Sequence, residues 1–158
     1  MKNIQGYTLI ELMVVMALVG IMTGYAIVSY SQHRETQNAN IAKVEMQNLQ
    51  IQLQEYKATN LTYKGFPTTS ESVYLDPSAR SPKKIYEISV VDLDNGVALN
   101  SNAAIGNDWA IKATPVSQSN PGNNIILVNS QGVQCMNKKS DNVTYKTCGT
   151  TAQNSTSW

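Results

Sequence analysis

The sequence predicts an α+β fold in which a long N-terminal α-helix, apolar enough in its first half to cross a membrane, packs through its second half on an antiparallel β-sheet of about four strands. Three observations predict it. An apolar run from Leu12 to Val28 carries no charge. Further on, Ala42, Met46, Leu49, Leu53 and Tyr56 recur at alternating spacings of four and three, and beyond Gly65 short apolar segments are separated by turn residues.

The length of 158 residues suits one domain with a modest core plus one extended element. A formal net charge of +1 gives neither the basic excess that grips phosphate backbones nor an acidic solvating block. Outside the apolar run the chain is rich in Asn, Ser, Thr and Gln, so two solvents are implied. Cys135 and Cys148 pair if their region lies outside the cytoplasm and are two thiols if it lies inside.

A membrane span needs about 20 apolar residues at ~1.5 Å rise, so Tyr7 to Tyr30 is long enough to cross as a helix. The start has the look of a secretory signal, but Ser29-Tyr30-Ser31-Gln32-His33-Arg34-Glu35 offers no small-x-small cleavage site after the apolar stretch, so the helix is expected to be kept. Glu11 is the anomaly. A carboxylate in hydrocarbon costs at least ~2.5 kcal/mol near a bilayer centre unless neutralised or paired, and such residues are functional by default.

Gly6-Tyr7-Thr8-Leu9-Ile10-Glu11-Leu12-Met13-Val14-Val15 resembles the class III signal of type IV prepilins, in which a short polar leader ends in Gly and precedes an aromatic or Met, an apolar stretch and a Glu. The resemblance is specific over residues 1–35 and elsewhere concerns architecture. It implies a pilin fold, cleavage by a prepilin peptidase between Gly6 and Tyr7, and N-methylation of the new Tyr7 amine. Glu11 would then pair with the Tyr7 amine of a neighbouring copy and set the axial stagger, because a matched buried pair fixes register. Gly20 and Gly24 form a Gly-x-x-x-Gly step that lets helices approach closely. Many family members carry Pro about where Val28 stands; without it a Pro-driven kink is in doubt, although the two glycines weaken the helix locally.

Beyond Tyr30 no breaker stands before Gly65-Phe66-Pro67, so the helix is expected to run from Thr8 to about Thr59, ~80 Å at ~1.5 Å per residue. The Ala42–Tyr56 stripe lies on one face and is under three heptads long, which favours packing on a sheet over a coiled coil. His33, the only histidine, reads as a solvated or interfacial residue. Residues 61–84 hold three prolines and read as a loop wrapping from helix to sheet; in pilins the corresponding connector lies at subunit contacts.

Ile85 to Val91 alternates, Asp94-Asn95-Gly96 supplies a turn and Val97 to Leu99 returns, a hairpin signature. Asp108 to Pro115 and Asn124 to Val128 read as further strands of a meander. Asp92-Leu93-Asp94-Asn95-Gly96 has carboxylates at alternate positions before a Gly, yet Ala103 stands where a calcium loop would close with Glu, so a hairpin turn is the reading. The loop between the cysteines carries Lys138, Lys139 and Lys146 against Asp141 and reads as a solvated face. DNA contact at a filament tip is the lesser reading, for want of interleaved aromatics or a recognition helix. The tail from Thr150 to Trp158 is polar and expected to be mobile. Pilins tie down this region with a disulfide, so the resemblance implies a Cys135–Cys148 bridge.

One His, no Cys-x-x-Cys, no Gly-rich phosphate loop and no carboxylate pair in a pocket pattern leave no catalytic constellation, so no enzyme, metal or cofactor is expected. The organisation expected is a leader at 1–6, a transmembrane and filament-core helix at 7–30 and an extracytoplasmic globular domain at 31–158. The resemblance implies a structural subunit of a type IV pilus serving motility, adhesion or DNA uptake. A minor pilin is expected because Tyr7 replaces the commoner Phe, Val28 the usual Pro, and Thr23-Gly24-Tyr25 loosens the helix. A major pilin, a secretion pseudopilin and a single-span anchored domain that never enters a filament are the alternatives. Implied partners are other pilin subunits, the prepilin peptidase and the inner-membrane pilus assembly platform, with the chain in the inner membrane before assembly and in the surface pilus of a Gram-negative type bacterium after it.

Overall fold

The stretch from Leu9 to Asn60 contains no proline and is rich in Leu, Met, Ala, Gln and Glu, which lose little rotamer freedom in a helix. It forms α1 (Leu9–Asn60), within a residue of the predicted bounds. The structure is a computed structural model and describes residues 8–68, 71–74, 83–116 and 123–158, without the side chains of 25–29, 31, 32 and 71–73. The chain divides into two compact units, Met1–Arg34 and Glu35–Trp158.

In the second unit α1 turns the predicted stripe inward: Ala42, Met46, Leu49 and Leu53 are buried, Tyr56 is half-buried, and Asn38 and Ala39 extend the face by a turn. The helix ends by several devices acting together. Lys57 sits in the last turn, where its charge favours the carbonyl end. The Asn60 amide donates to the Tyr56 carbonyl at 2.9 Å. Leu61 enters the left-handed region at φ 61° and donates its N–H to the Lys57 carbonyl at 2.8 Å.

Six strands follow: β1 (Glu71–Tyr74), β2 (Lys84–Asp92), β3 (Trp109–Pro115), β4 (Ile125–Asn129), β5 (Gln134–Asn137) and β6 (Thr156–Ser157). They form one antiparallel meander in chain order. Because side chains alternate across a sheet, Tyr86, Ile88, Val90, Ile111, Ala113, Ile126 and Val128 join the core that includes the helix stripe. The opposite face is covered too. Ile125, Leu127, Cys135, Val143 and Cys148 form a second cluster, and Val91, Leu93 and Ala110 a third. Burial on both faces explains why β4 reads Ile-Ile-Leu-Val with no polar alternation.

The structure corrects three expectations. Among the described residues the sheet has six strands where about four were expected, since β1 lies in the connector predicted as loop, and β5 and β6 lie in segments too short and polar to show a period. The Asp94–Gly96 turn is present, with the Gly96 N–H donating to the Asp92 carbonyl at 2.8 Å, but Val97 to Leu99 is no return strand. Only the single bridge Val91↔Ala98 forms, and the full-length partner of β2 is β3. The cause is Asp92, whose buried carboxylate gathers the loop: one oxygen accepts from the Asp94 N–H at 2.9 Å, the other from the Ile105 and Gly106 N–H groups at 2.7 Å each. Third, the tail is ordered. Thr151–Gln153 form a 3-10 turn, Thr156 and Ser157 pair with β5, and Trp158 packs against the main core.

Candidate functional site

Among the described residues the first unit presents exposed apolar surface. Every described side chain from Thr8 to Gly24 is exposed, including Leu9, Ile10, Leu12, Met13, Val14, Val15, Met16, Leu18, Val19, Ile21 and Met22, each more than half exposed. These residues cover all sides of the helix. A helix apolar all round belongs inside a protein assembly or a membrane, and patches of this extent mark interaction surfaces. Its polar groups are few. The Thr23 hydroxyl donates to the Val19 carbonyl at 2.7 Å, which satisfies it inside the helix. Beyond their chain neighbours and the helix's own backbone, no described atom lies within 4 Å of where a Cβ would stand at Gly20 or Gly24, so the described residues leave the Gly-x-x-x-Gly step open for a close helix approach.

Glu11 lies exposed in the first turn of α1, where a negative charge complements the helix dipole. Among the described residues it has no ion pair; the one such pair is Lys84–Glu87 at 3.6 Å. Gly6 and Tyr7, the predicted cleavage and methylation positions, lie outside the described residues. Among the described residues no helix is long and apolar enough to cross a membrane. The continuous run of described side chains from Thr8 ends at Gly24, short of the about 20 residues a span requires, so the expected crossing at 7–30 extends past that run.

In the second unit α1 carries a further seam that the sequence reading did not isolate. Ile41, Val44 and Ile51 are exposed, each two residues beyond a core position, hence on the opposite side of the helix. Asn48, Glu55 and Ala58 complete the same three–four spacing and are exposed as well. The signal was present in the spacing, hidden because the inward stripe shares its period.

Cys135 and Cys148 are joined, with Cα atoms 6.0 Å apart. The bridge is buried beside Val143, and Tyr145 packs on the same cluster. Two buried asparagines, neither picked out by sequence reasoning, hold this region. The Asn137 amide donates to the Cys148 carbonyl at 2.8 Å and the Gln153 carbonyl at 2.9 Å, while its oxygen accepts from the Lys139 N–H at 2.9 Å. Asn129 accepts from the Gln131 and Val133 N–H groups at 3.1 and 3.0 Å and donates to the Tyr145 carbonyl at 3.3 Å. Lys138, Lys139, Lys146 and His33 are exposed.

Among the described residues two ionisable groups depart from ordinary behaviour. Burial alone would raise the Asp92 carboxyl, but the backbone N–H groups of Gly106, Asp94, Ile105 and Asn95 outweigh it and hold the group below the usual carboxylate range. Burial, helped by the charge of Glu35, pushes the Tyr86 hydroxyl well above its usual range, so it stays protonated and donates to the Asn124 carbonyl at 2.9 Å.

Residues 1–27 match the family model of the prokaryotic N-terminal methylation motif, a class III signal, consistent with a type IV pilin-family protein. No curated protein and no solved structure matches the chain. The motif supports a type IV pilin-like or pseudopilin-like protein whose precursor is processed by a peptidase and assembles with other subunits.

Proposed function

We propose that the chain is a non-enzymatic structural subunit, a minor pilin, of a type IV pilus. The observation that carries the proposal is the conjunction of the methylation motif with the start of α1, where the described apolar side chains from Leu9 to Met22 are exposed on every side. A helix of that kind needs another hydrocarbon or protein environment, and the motif supplies the route from one to the other. Cleavage after Gly6 frees the Tyr7 amine, a cation beside an apolar helix. Glu11, with no ion pair among the described residues, supplies the opposite charge to a neighbour's amine. Matching the two charges fixes the axial stagger, because either one left alone in an apolar core costs about 3–5 kcal/mol. Gly20 and Gly24 allow close helix approach, and the outward seam Ile41, Val44 and Ile51 continues apolar contact beyond the first unit.

The Cys135–Cys148 bridge supports a pilus over a secretion pseudopilus. In this account the subunit passes from the inner membrane, by way of the assembly platform, to a surface filament. Glu11→Ala and Glu11→Gln are expected to reduce incorporation into sheared filaments at least tenfold while membrane levels of the precursor stay unchanged. Wild-type incorporation of both variants would remove Glu11 from the assembly mechanism.

A further inference from the structure

The turn after β2 carries a chemistry of its own. Asn95-Gly96 is the one Asn-Gly step in the sequence, and both residues are exposed. Asparagine is thermolabile, most of all before glycine, where no Cβ shields the next backbone nitrogen from the side-chain carbonyl carbon. In the folded loop each reacting group is already engaged. The Gly96 N–H, a nucleophile once deprotonated, donates to the Asp92 carbonyl at 2.8 Å. The Asn95 amide nitrogen, the leaving group, donates to the Ala103 carbonyl at 2.7 Å, and the Asn95 side-chain oxygen accepts from the Val97 N–H at 3.3 Å. Asp92 fixes both sides of the Asn95–Ala103 contact: one carboxylate oxygen accepts from the Asp94 N–H, the other from the Ile105 and Gly106 N–H groups.

We propose that Asn95 is a latent site of intramolecular deamidation, held unreactive by the loop gathered on Asp92 and released when that loop opens. Loops open at a lower free energy than the whole fold. Once open, the Gly96 nitrogen gives its proton to hydroxide and attacks Asn95 Cγ. The N–Cγ bond forms, the Cγ–Nδ2 bond breaks, and the amide leaves as ammonia after taking a proton from water. The five-membered imide then adds water: opening at Cγ gives aspartate, and opening at the backbone carbonyl gives isoaspartate. Hydrolysis is the whole balance, with nothing oxidised or reduced. Either product puts a carboxylate beside Asp94 in place of the donor to Ala103. Isoaspartate also adds one atom to the main chain before Gly96, so the loop cannot close again on the same hydrogen bonds. The conversion runs one way and marks a subunit whose loop has opened.

The test follows residue 95 by peptide mapping and mass spectrometry, with isoaspartate distinguished from aspartate, in the full chain kept in detergent micelles at mildly alkaline pH. The folded chain is expected to convert at least tenfold more slowly than the same chain unfolded in guanidinium chloride with its disulfide intact. Asp92→Asn keeps the volume and removes one acceptor oxygen; Ile105→Pro deletes one N–H donor to Asp92 at a position 52% exposed. Whichever of the two keeps the wild-type circular dichroism spectrum is expected to convert at least threefold faster than the folded wild type. Equal rates in the folded and unfolded wild-type chain would overturn the protection by the fold, and no conversion in the unfolded chain would overturn the site. A folded variant converting at the wild-type rate would overturn the part given to the Asp92 loop.

Discussion

Asp92 shows how one side chain decides a loop. Its carboxylate accepts backbone N–H groups from residues more than ten positions apart and so replaces the strand that Val97 to Leu99 would have formed. Asp92→Ala is expected to cost at least ~3 kcal/mol, because the N–H groups of Asp94, Ile105 and Gly106 lose their acceptor in a buried place; urea titration of the full chain in detergent checks it. The lowered pKa fixes the sign of the pH dependence. The folded state prefers the ionised form, so this contribution is fully present above the ordinary value of 3.8 and is lost as pH falls below it through the folded value. Loss of stability on acidification is expected to be shallower in Asp92→Ala, and an unchanged acid limb would contradict the assignment. Gly106 belongs to the same arrangement: at φ +82° it takes a conformation that L side chains rarely adopt, and a Cβ there would meet the Lys64 backbone nitrogen at 2.5 Å.

Elements divide sharply in how well the sequence foretells them. The length of α1 and its inward stripe are legible, because a 3.6-residue period persists over many turns. So are the spans of β2, β3 and β4, where apolar content is dense. The short strands β1, β5 and β6 are not, since four residues or fewer carry no readable period and are held by pairing with their neighbours in the sheet. Asn129 and Asn137 look like ordinary surface asparagines; nothing in their sequence neighbourhood shows that buried carbonyls wait for them. The disulfide stands on a family resemblance rather than on spacing. Closing a loop over a sequence separation of 13 is expected to stabilise by about 3 kcal/mol in the chain-entropy model, so Cys135→Ser with Cys148→Ser should lower the urea midpoint; an unchanged midpoint would contradict that contribution. On the outward seam, Ile51→Glu should leave the fold intact, as the side chain is 55% exposed, and reduce incorporation into filaments. Wild-type incorporation would confine the assembly surface to the first unit.

At the scale of the molecule, the chain joins a unit with a two-sided core to a helical unit whose described apolar side chains from Leu9 to Met22 are exposed. Burial of apolar surface is the dominant driving term in folding and association, at about 25 cal/mol per Å², so the exposed side chains of Leu9 to Met22 make the isolated subunit incomplete in water. The methylation motif at residues 1–27 names a processing step that changes the charge at the start of that helix, and Glu11 stands within the first turn to meet it. Under the proposed function, processing at Gly6–Tyr7 converts a membrane precursor into a filament subunit. Quantitative mass spectrometry of mechanically sheared surface filaments tests it most directly. The expected result is a peptide beginning at N-methylated Tyr7, present in trace amount relative to the main subunit; absence of that peptide from the filaments, with chains still beginning at Met1 left in the membrane, would overturn the proposed function.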